Sequence, residues 1–138
     1  MQDFKKLDVW KRSHELAVRS IRLSEGMPPE LDDLSRWLST DATTIPAKIA
    51  NACGRGRRAG FVRMLQVAHE SSNALACHVL LAMDLGAIDP DDCWEVIGEI
   101  DAIKQMLTVR IRRASALRHG YGRVLRRRPV PSAPRTDN

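Results

Sequence analysis

Four stretches of this chain repeat apolar residues at three- and four-residue steps, and none alternates apolar with polar at period two. That pattern leaves no place for a sheet and predicts an all-α protein. The clearest stretch runs from about Glu30 to Ala52, where Leu31, Leu34, Leu38, Ala42, Ile45 and Ile49 make an almost unbroken stripe. Pro46 sits inside it. Because the stripe continues across the proline, the helix is expected to kink there without ending. Thr43 and Thr44 stand ready to hydrogen-bond nearby carbonyls.

The first segment, about Asp8 to Glu25, places Leu7, Trp10, His14, Ala17 and Ile21 on one stripe and stops at Gly26-Met27-Pro28-Pro29. The third runs from about Arg58 to Leu85 on Phe61, Leu65, Ala68, Ser72, Leu75, Val79 and Ala82, with Gly86 as a left-handed C-terminal cap. The fourth opens on Asp89-Pro90-Asp91-Asp92, an N-cap, a proline at the first helical position and acids facing the positive helix end. It continues to about Leu117 on Val96, Ile100, Ile103, Leu107, Ile111 and Ala114. Short connections between four helices predict an antiparallel up-down-up-down four-helix bundle. The third and fourth helices, at about 28 residues, would each span about 42 Å. That is more than the first helix can cover, so some of their apolar surface, with Trp10, Trp37 and Trp94, is expected to form an interface between copies.

The 138 residues suit one domain. Residues 1–119 read as the bundle, and residues 120–138, with Pro129, Pro131 and Pro134 and no apolar period, as a disordered basic tail. Aromatic residues make up only 4% of the chain, so the core must be aliphatic. The longest uncharged run, Ser71 to Met83, is too short and too polar to span a membrane. The opening Met1-Gln2-Asp3-Phe4-Lys5-Lys6 lacks the apolar run of a signal peptide, so a cytoplasmic location is expected. Cys53, Cys77 and Cys93, odd in number and far apart, fit a reducing compartment and are expected to be buried structural thiols.

Charge is unevenly placed. The net +5 comes from 22 basic and 17 acidic residues. From Asp84 to Asp101 there are seven acids and no Lys or Arg; from Lys104 to Arg128 there are nine basic residues and no acid. The helix macrodipole accounts for part of this, since acids favour the start of a helix and bases its end. The remainder suggests a polyanion-binding end, while an arginine-rich terminus that is simply a solvated tail is the other reading. Arg112 and Arg113 lie off the apolar stripe, and Arg118, Arg123, Arg126, Arg127 and Arg128 follow where the period stops. Tyr121 is the one aromatic among them, so phosphate pairing rather than base stacking is expected to dominate.

The cluster Gly54-Arg55-Gly56-Arg57-Arg58-Ala59-Gly60 stands at the start of the third helix, where free amides and the dipole favour an anion. It lacks the Lys-Ser/Thr of a phosphate loop and follows no strand. Two readings stand side by side: a second anchor of Arg55, Arg57 and Arg58, or a flexible connection that arginine keeps soluble. Catalysis finds no footing. Cys77 and His78 are neighbours on a helix and point about 100° apart. His69, Cys53 and Cys93 lack metal-ligand spacing, Glu15 and Glu70 lack the His of a di-iron pair, and His14 reads as a core or interface histidine. The acidic run from Asp89 to Asp101 lacks the spacing of a calcium loop. No enzyme activity, cofactor, metal or small-molecule substrate is expected.

Three motifs carry a resemblance. Asp3-Phe4-Lys5-Lys6-Leu7-Asp8-Val9-Trp10-Lys11-Arg12-Ser13-His14-Glu15-Leu16-Ala17 resembles the opening of the bacterial four-helix-bundle proteins first met as products of intervening sequences in large-subunit ribosomal RNA genes. Thr44-Ile45-Pro46-Ala47-Lys48-Ile49-Ala50 is similar to that family's Ser-Ile-Pro-Ala-Asn-Ile-Ala, and Gly54-Arg55 with Gly60-Phe61-Val62-Arg63-Met64-Leu65 to its Gly-Arg-x(n)-Glu-Phe-x-x-Phe-Leu. The resemblance implies a ring-like homopentamer without enzymatic activity or cofactor. It also implies kinship with the basic pentameric accessory proteins of diversity-generating retroelements, which bind a reverse transcriptase and its nucleic acid. Leu38-Ser39-Thr40-Asp41 stands where the family has a Leu-Arg-Arg pattern, so the basic load here falls on the fourth helix and the tail instead. The expected role is therefore an oligomeric accessory protein binding RNA or DNA through these arginines. The alternative is an adaptor oligomer that binds a protein, with no nucleic-acid role.

Overall fold

The computed structural model describes residues 2–126, with side chains described through residue 117. Four helices, α1 (Asp8–Glu25), α2 (Asp32–Cys53), α3 (Arg58–Asp84) and α4 (Pro90–Arg126), follow one another, with 3-10 turns at Phe4–Lys6 and Pro29–Leu31 and no strand among the described residues. Each helix packs on its neighbours in sequence and α1 closes against α4, while the diagonal pairs do not meet. This is the square of an antiparallel four-helix bundle.

The core is one aliphatic cluster. From α2 it takes Leu34, Leu38, Ala42, Ile45 and Ile49; from α3 Leu65, Leu75 and Val79; from α4 Val96, Ile100, Ile103 and Leu107. These are the stripes set by the 3.6-residue repeat. Pro46 lies buried within an unbroken α2 and leaves the Ala42 carbonyl without its helical donor. On the outer side Thr43 Oγ1 donates to the Ser39 and Thr40 carbonyls, and Thr44 Oγ1 donates to the Thr40 carbonyl.

The turn between α3 and α4 is fixed by local chemistry. Gly86 has φ of +74°, its N–H donates to the Met83 carbonyl at 2.9 Å, and the Ala87 N–H donates to the Ala82 carbonyl at 2.9 Å. This paired pattern closes α3 in a left-handed cap. Asp89 Oδ1 then accepts from the Asp91 N–H at 2.9 Å and starts α4 at Pro90. The Cys93 thiol donates to the Val79 carbonyl at 3.7 Å and ties the start of α4 to α3.

Three expectations need correction. In α1 the buried face is Val9, Ser13, Leu16, Ala17, Ser20 and Ser24, one residue out of step with the stripe of Trp10, His14 and Ile21. Small side chains let α1 approach closely. Ser13 Oγ satisfies itself on the Val9 carbonyl at 2.6 Å, and Ser24 Oγ meets Ser39 Oγ of α2 at 2.9 Å. His14 is exposed and stacks on Trp10, with centroids 4.9 Å apart, so it is neither a core nor a ligating histidine. Second, Cys77 is exposed, whereas Cys53 and Cys93 are buried. Third, α4 does not stop near Leu117 but continues through Gly120 and Gly122 to Arg126. A helix already nucleated tolerates two glycines, each costing about 1 kcal/mol, because propagation needs no new nucleus. The bundle boundary expected at residue 119 thus falls within a helix. Residues 127–138, the rest of the expected tail, lie outside the described residues.

The α1–α4 contact is the thinnest of the four, and ion pairs lace it. Arg12 Nε meets Glu99 Oε1 at 2.7 Å and Arg12 Nη2 meets Glu99 Oε2 at 3.0 Å, while Arg19 reaches Asp92 at 3.4 Å and also pairs with Glu95. The Arg12 and Glu99 side chains stay 43% and 36% exposed, so solvent screens the pair. Replacing Arg12 by Ala should cost no more than about 1 kcal/mol in urea unfolding. Leu75→Ala, which empties a fully buried site, should cost about 2–5 kcal/mol. Two glycines should move in opposite directions. Gly86→Ala forces a left-handed alanine and should destabilise by about 1–2 kcal/mol, although nothing lies within 4 Å of the added carbon. Gly98→Ala, on the open face of α4, should stabilise by about 0.5–1 kcal/mol. Thermal melts of the two variants check the signs.

Candidate nucleic-acid interface

Antiparallel pairing brings the second half of α4 beside the start of α3. The α2–α3 connection closes on itself first: the Gly54 N–H donates to the Asn51 carbonyl and the Arg55 N–H to the Ala52 carbonyl, both at 3.1 Å. Arg57 then extends into the N-cap position of α3, where its side chain caps nothing, and no acid occupies the first turn. The stem of Arg55 lies over Gly60, within 3.5 Å of where a β-carbon would stand. An added β-carbon at 60 would make ordinary contact with Arg55, so Arg55 folds back toward α3 with or without a glycine there.

Across from this connection, Arg110, Arg113, Ala114 and Leu117 share one face of α4, being spaced by three, one and three residues. Together the two sides line an open pocket of about 460 Å³: Arg55, Gly56, Arg57, Arg58 and Phe61 from one, Arg110, Arg113, Ala114 and Leu117 from the other. Five arginines line this space and, among the described residues, no acid does; Arg110 and Arg113 also border a neighbouring groove with Arg12 and Met106. Among the described residues none of the five takes part in an ion pair. Arg57 and Arg58 also sit at the positive end of α3, where the macrodipole disfavours cations. Arginines gathered in this way leave an uncompensated positive field.

The expected residues divide. Arg55, Arg57, Arg58 and Arg113 come together, whereas Arg112, one residue away from the helical face that Arg113 uses, does not join them. It lines a separate groove between α3 and α4 with His69, Asp101, Lys104 and Thr108. Burial first, and Lys104 second, push the His69 imidazole below its ordinary range, with Glu70 opposing them. The acids beside Arg112 make this groove the less basic of the two. Arg118, Arg123 and Arg126 fall on the backbone of the last turns of α4, and Arg127 and Arg128 lie outside the described residues. Arg110 was not among the expected residues, yet it stands in the pocket. Its position three residues before Arg113 carries the signal, one shared helical face. Burial pushes the Cys53 thiol up more than Arg110 pulls it down, so the buried Cys53 stays protonated. No three His, Cys, Asp or Glu side chains among the described residues gather to hold a metal. No described helix is long and apolar enough to cross a membrane.

The chain is similar to a crystal structure of a protein of unknown function from the S23 ribosomal protein family of Bacteroides thetaiotaomicron. The two share 24% identity over 75% of this chain and 95% of the other, with a TM-score of 0.71, which shows the fold alone. No curated protein matches the chain. The family model of the 23S rRNA-intervening sequence protein matches residues 5–109, which takes in Arg55, Arg57 and Arg58 and ends one residue before Arg110. With most of its length matched, from the Trp10 motif through the Ile-Pro stripe and into α4, the chain belongs to the 23S rRNA-intervening sequence protein family.

Proposed function

We propose that this chain is a non-enzymatic nucleic-acid-binding protein, and that the five-arginine pocket between the α2–α3 connection and α4 is where it holds phosphate. The observation that supports this is the convergence of Arg55, Arg57, Arg58, Arg110 and Arg113 on one space without an acid. Guanidinium groups donate in a planar fork that matches phosphate oxygens, and each such bond is charge-assisted. Phe61 is the only aromatic among the described residues that line the pocket, so base readout contributes little and RNA or DNA of many sequences should bind alike. A reverse transcriptase of a diversity-generating retroelement is one partner that would deliver such a nucleic acid, and no feature of the described residues is specific to it.

The same proposal includes a homopentamer. Trp37, Leu85 and Trp94 are 54%, 55% and 57% exposed, a heavy apolar load for the surface of a small bundle. The Trp37 ring of α2 lies 5.9 Å from the His78 ring of α3, and Leu81 follows one turn along. The outer face of α2 and α3 therefore offers Trp37 and Leu81 to a second copy, with His78 between them held by Asp41. A ring repeats the arginine pocket once per subunit, and simultaneous engagement of several pockets along one strand multiplies affinity.

Two outcomes follow. Replacing Arg57, Arg58 and Arg113 together by Ala should weaken binding to generic RNA and DNA by about tenfold or more for each arginine that meets a phosphate. It should also flatten the slope of log affinity against log salt by about 0.7–0.9 for each phosphate no longer neutralised. Arg112→Ala should do less. Undiminished binding in the triple variant would overturn the pocket as the phosphate site and favour the adaptor role. For the assembly, light scattering should return about five times the 15.5 kDa chain mass, and Trp37→Asp should lower it with helical content unchanged. A wild-type monomer at micromolar concentration would remove the ring.

A further inference from the structure

We propose that the five-arginine pocket is built for a terminal oligophosphate, the 5′-triphosphate of a nucleotide unit, rather than only for the internal phosphates of a strand; where the unit is the end of an RNA, this rests on the nucleic-acid role proposed above.

Charge density is the first reason. Internal phosphates carry one charge each and follow one another at about 3.4 Å of helix axis per strand, along a backbone that leads past a site. Five arginines lining about 460 Å³ carry more charge than one or two such phosphates can neutralise. A triphosphate concentrates three linked phosphoryl groups within the length of a single nucleotide, and it matches the pocket in both charge and extent.

The shape of the lining is the second reason. A volume of about 460 Å³ lies in the range of small-molecule sites, roughly 300–1,000 Å³, and suits one nucleotide unit. Both walls are mixed. Phe61 on one, and Ala114 and Leu117 on the other, offer apolar contact to a base or ribose, and each wall also carries arginines for phosphate. A nucleotide unit, with a flat apolar part and a charged part, can use both kinds of lining.

The third reason lies at the start of α3. No side chain caps the first amides of this 27-residue helix, its first turn holds no acid, and Arg57 and Arg58 add charge that the dipole disfavours. A phosphoryl group placed there satisfies the amides and offsets the repulsion together.

The test uses the full chain and fluorescence anisotropy with three RNAs of one sequence: 5′-triphosphorylated, 5′-hydroxyl, and 5′-hydroxyl lengthened by about four nucleotides to match the added charge. The triphosphorylated RNA should bind at least about tenfold tighter than both others, the worth of one further charge-assisted hydrogen bond. The variant carrying Arg58→Gln and Arg113→Gln should bring the three affinities together while circular dichroism stays unchanged. A free nucleoside triphosphate is added as competitor. If it displaces the triphosphorylated RNA, one nucleotide unit fills the pocket; if only the RNA end binds, the ligand is an RNA terminus. Equal binding of all three RNAs by the wild-type chain would overturn the terminal site and leave general nucleic-acid binding intact. Binding of the free triphosphate with no RNA bound would uphold the pocket and overturn the nucleic-acid role. Binding of neither would overturn both.

Discussion

The short turn between α3 and α4, with Gly86 at φ +74° and Asp89 capping the next helix, obliges the two helices to run antiparallel over nearly their whole shared length. Once they do, unequal length decides what lies where. α3 has 27 residues and α4 has 37, so α4 passes the start of α3 by about two to three turns. The acid-rich first third of α4 is thereby set against the end of α3, and its basic half against the α2–α3 connection. The arginine pocket is a consequence of where a turn was placed and how far one helix runs.

Charge is then treated differently at the two ends. At the acidic end, Arg12 and Arg19 of α1 pair with Glu99, Asp92 and Glu95, three of the seven acids between Asp84 and Asp101. At the basic end nothing comparable occurs among the described residues, and five arginines share one open space. Surface pairs contribute little stability, so neutralising one end gains the bundle little. The basic end, with no ion pair among its five pocket arginines, keeps a positive field of the kind that steers a polyanion.

Most of the fold is legible in the sequence because burial of aliphatic side chains repeats with the helical period. The stripes of α2, α3 and α4 appear in the core as read, and Gly86 caps α3 as its residue type requires. α1 is harder. Its buried face is rich in serine, and a serine that bonds its own helix carbonyl behaves as a small core residue, which hydropathy does not reveal. Trp10 and His14 draw the apparent stripe toward the rim, where they stack on one another. The far end of α4 misleads because two glycines look like a stop, whereas the first proline comes only at Pro129. For the candidate site, the arginines are legible as a population but not as a constellation. Which of Arg110, Arg112 and Arg113 faces the α2–α3 connection depends on the roll of α4 about its axis, and only tertiary packing sets that.

The position of Arg57 brings stability and function into opposition. The residue before a helix is best filled by Ser, Thr, Asp or Asn, whose side chains cap a free amide for about 0.5–2 kcal/mol. Arg57 does not cap, and the cation at 58 stands against the dipole of α3. A chain selected for stability alone would place an acid or a hydroxyl at this turn, and the same change would discharge the pocket. The bundle tolerates the deficit because its large aliphatic core holds α2, α3 and α4 together independently of this turn. An uncapped, highly charged helix start on a well-packed scaffold is therefore consistent with the proposed anion site, where a bound phosphate would offset the deficit.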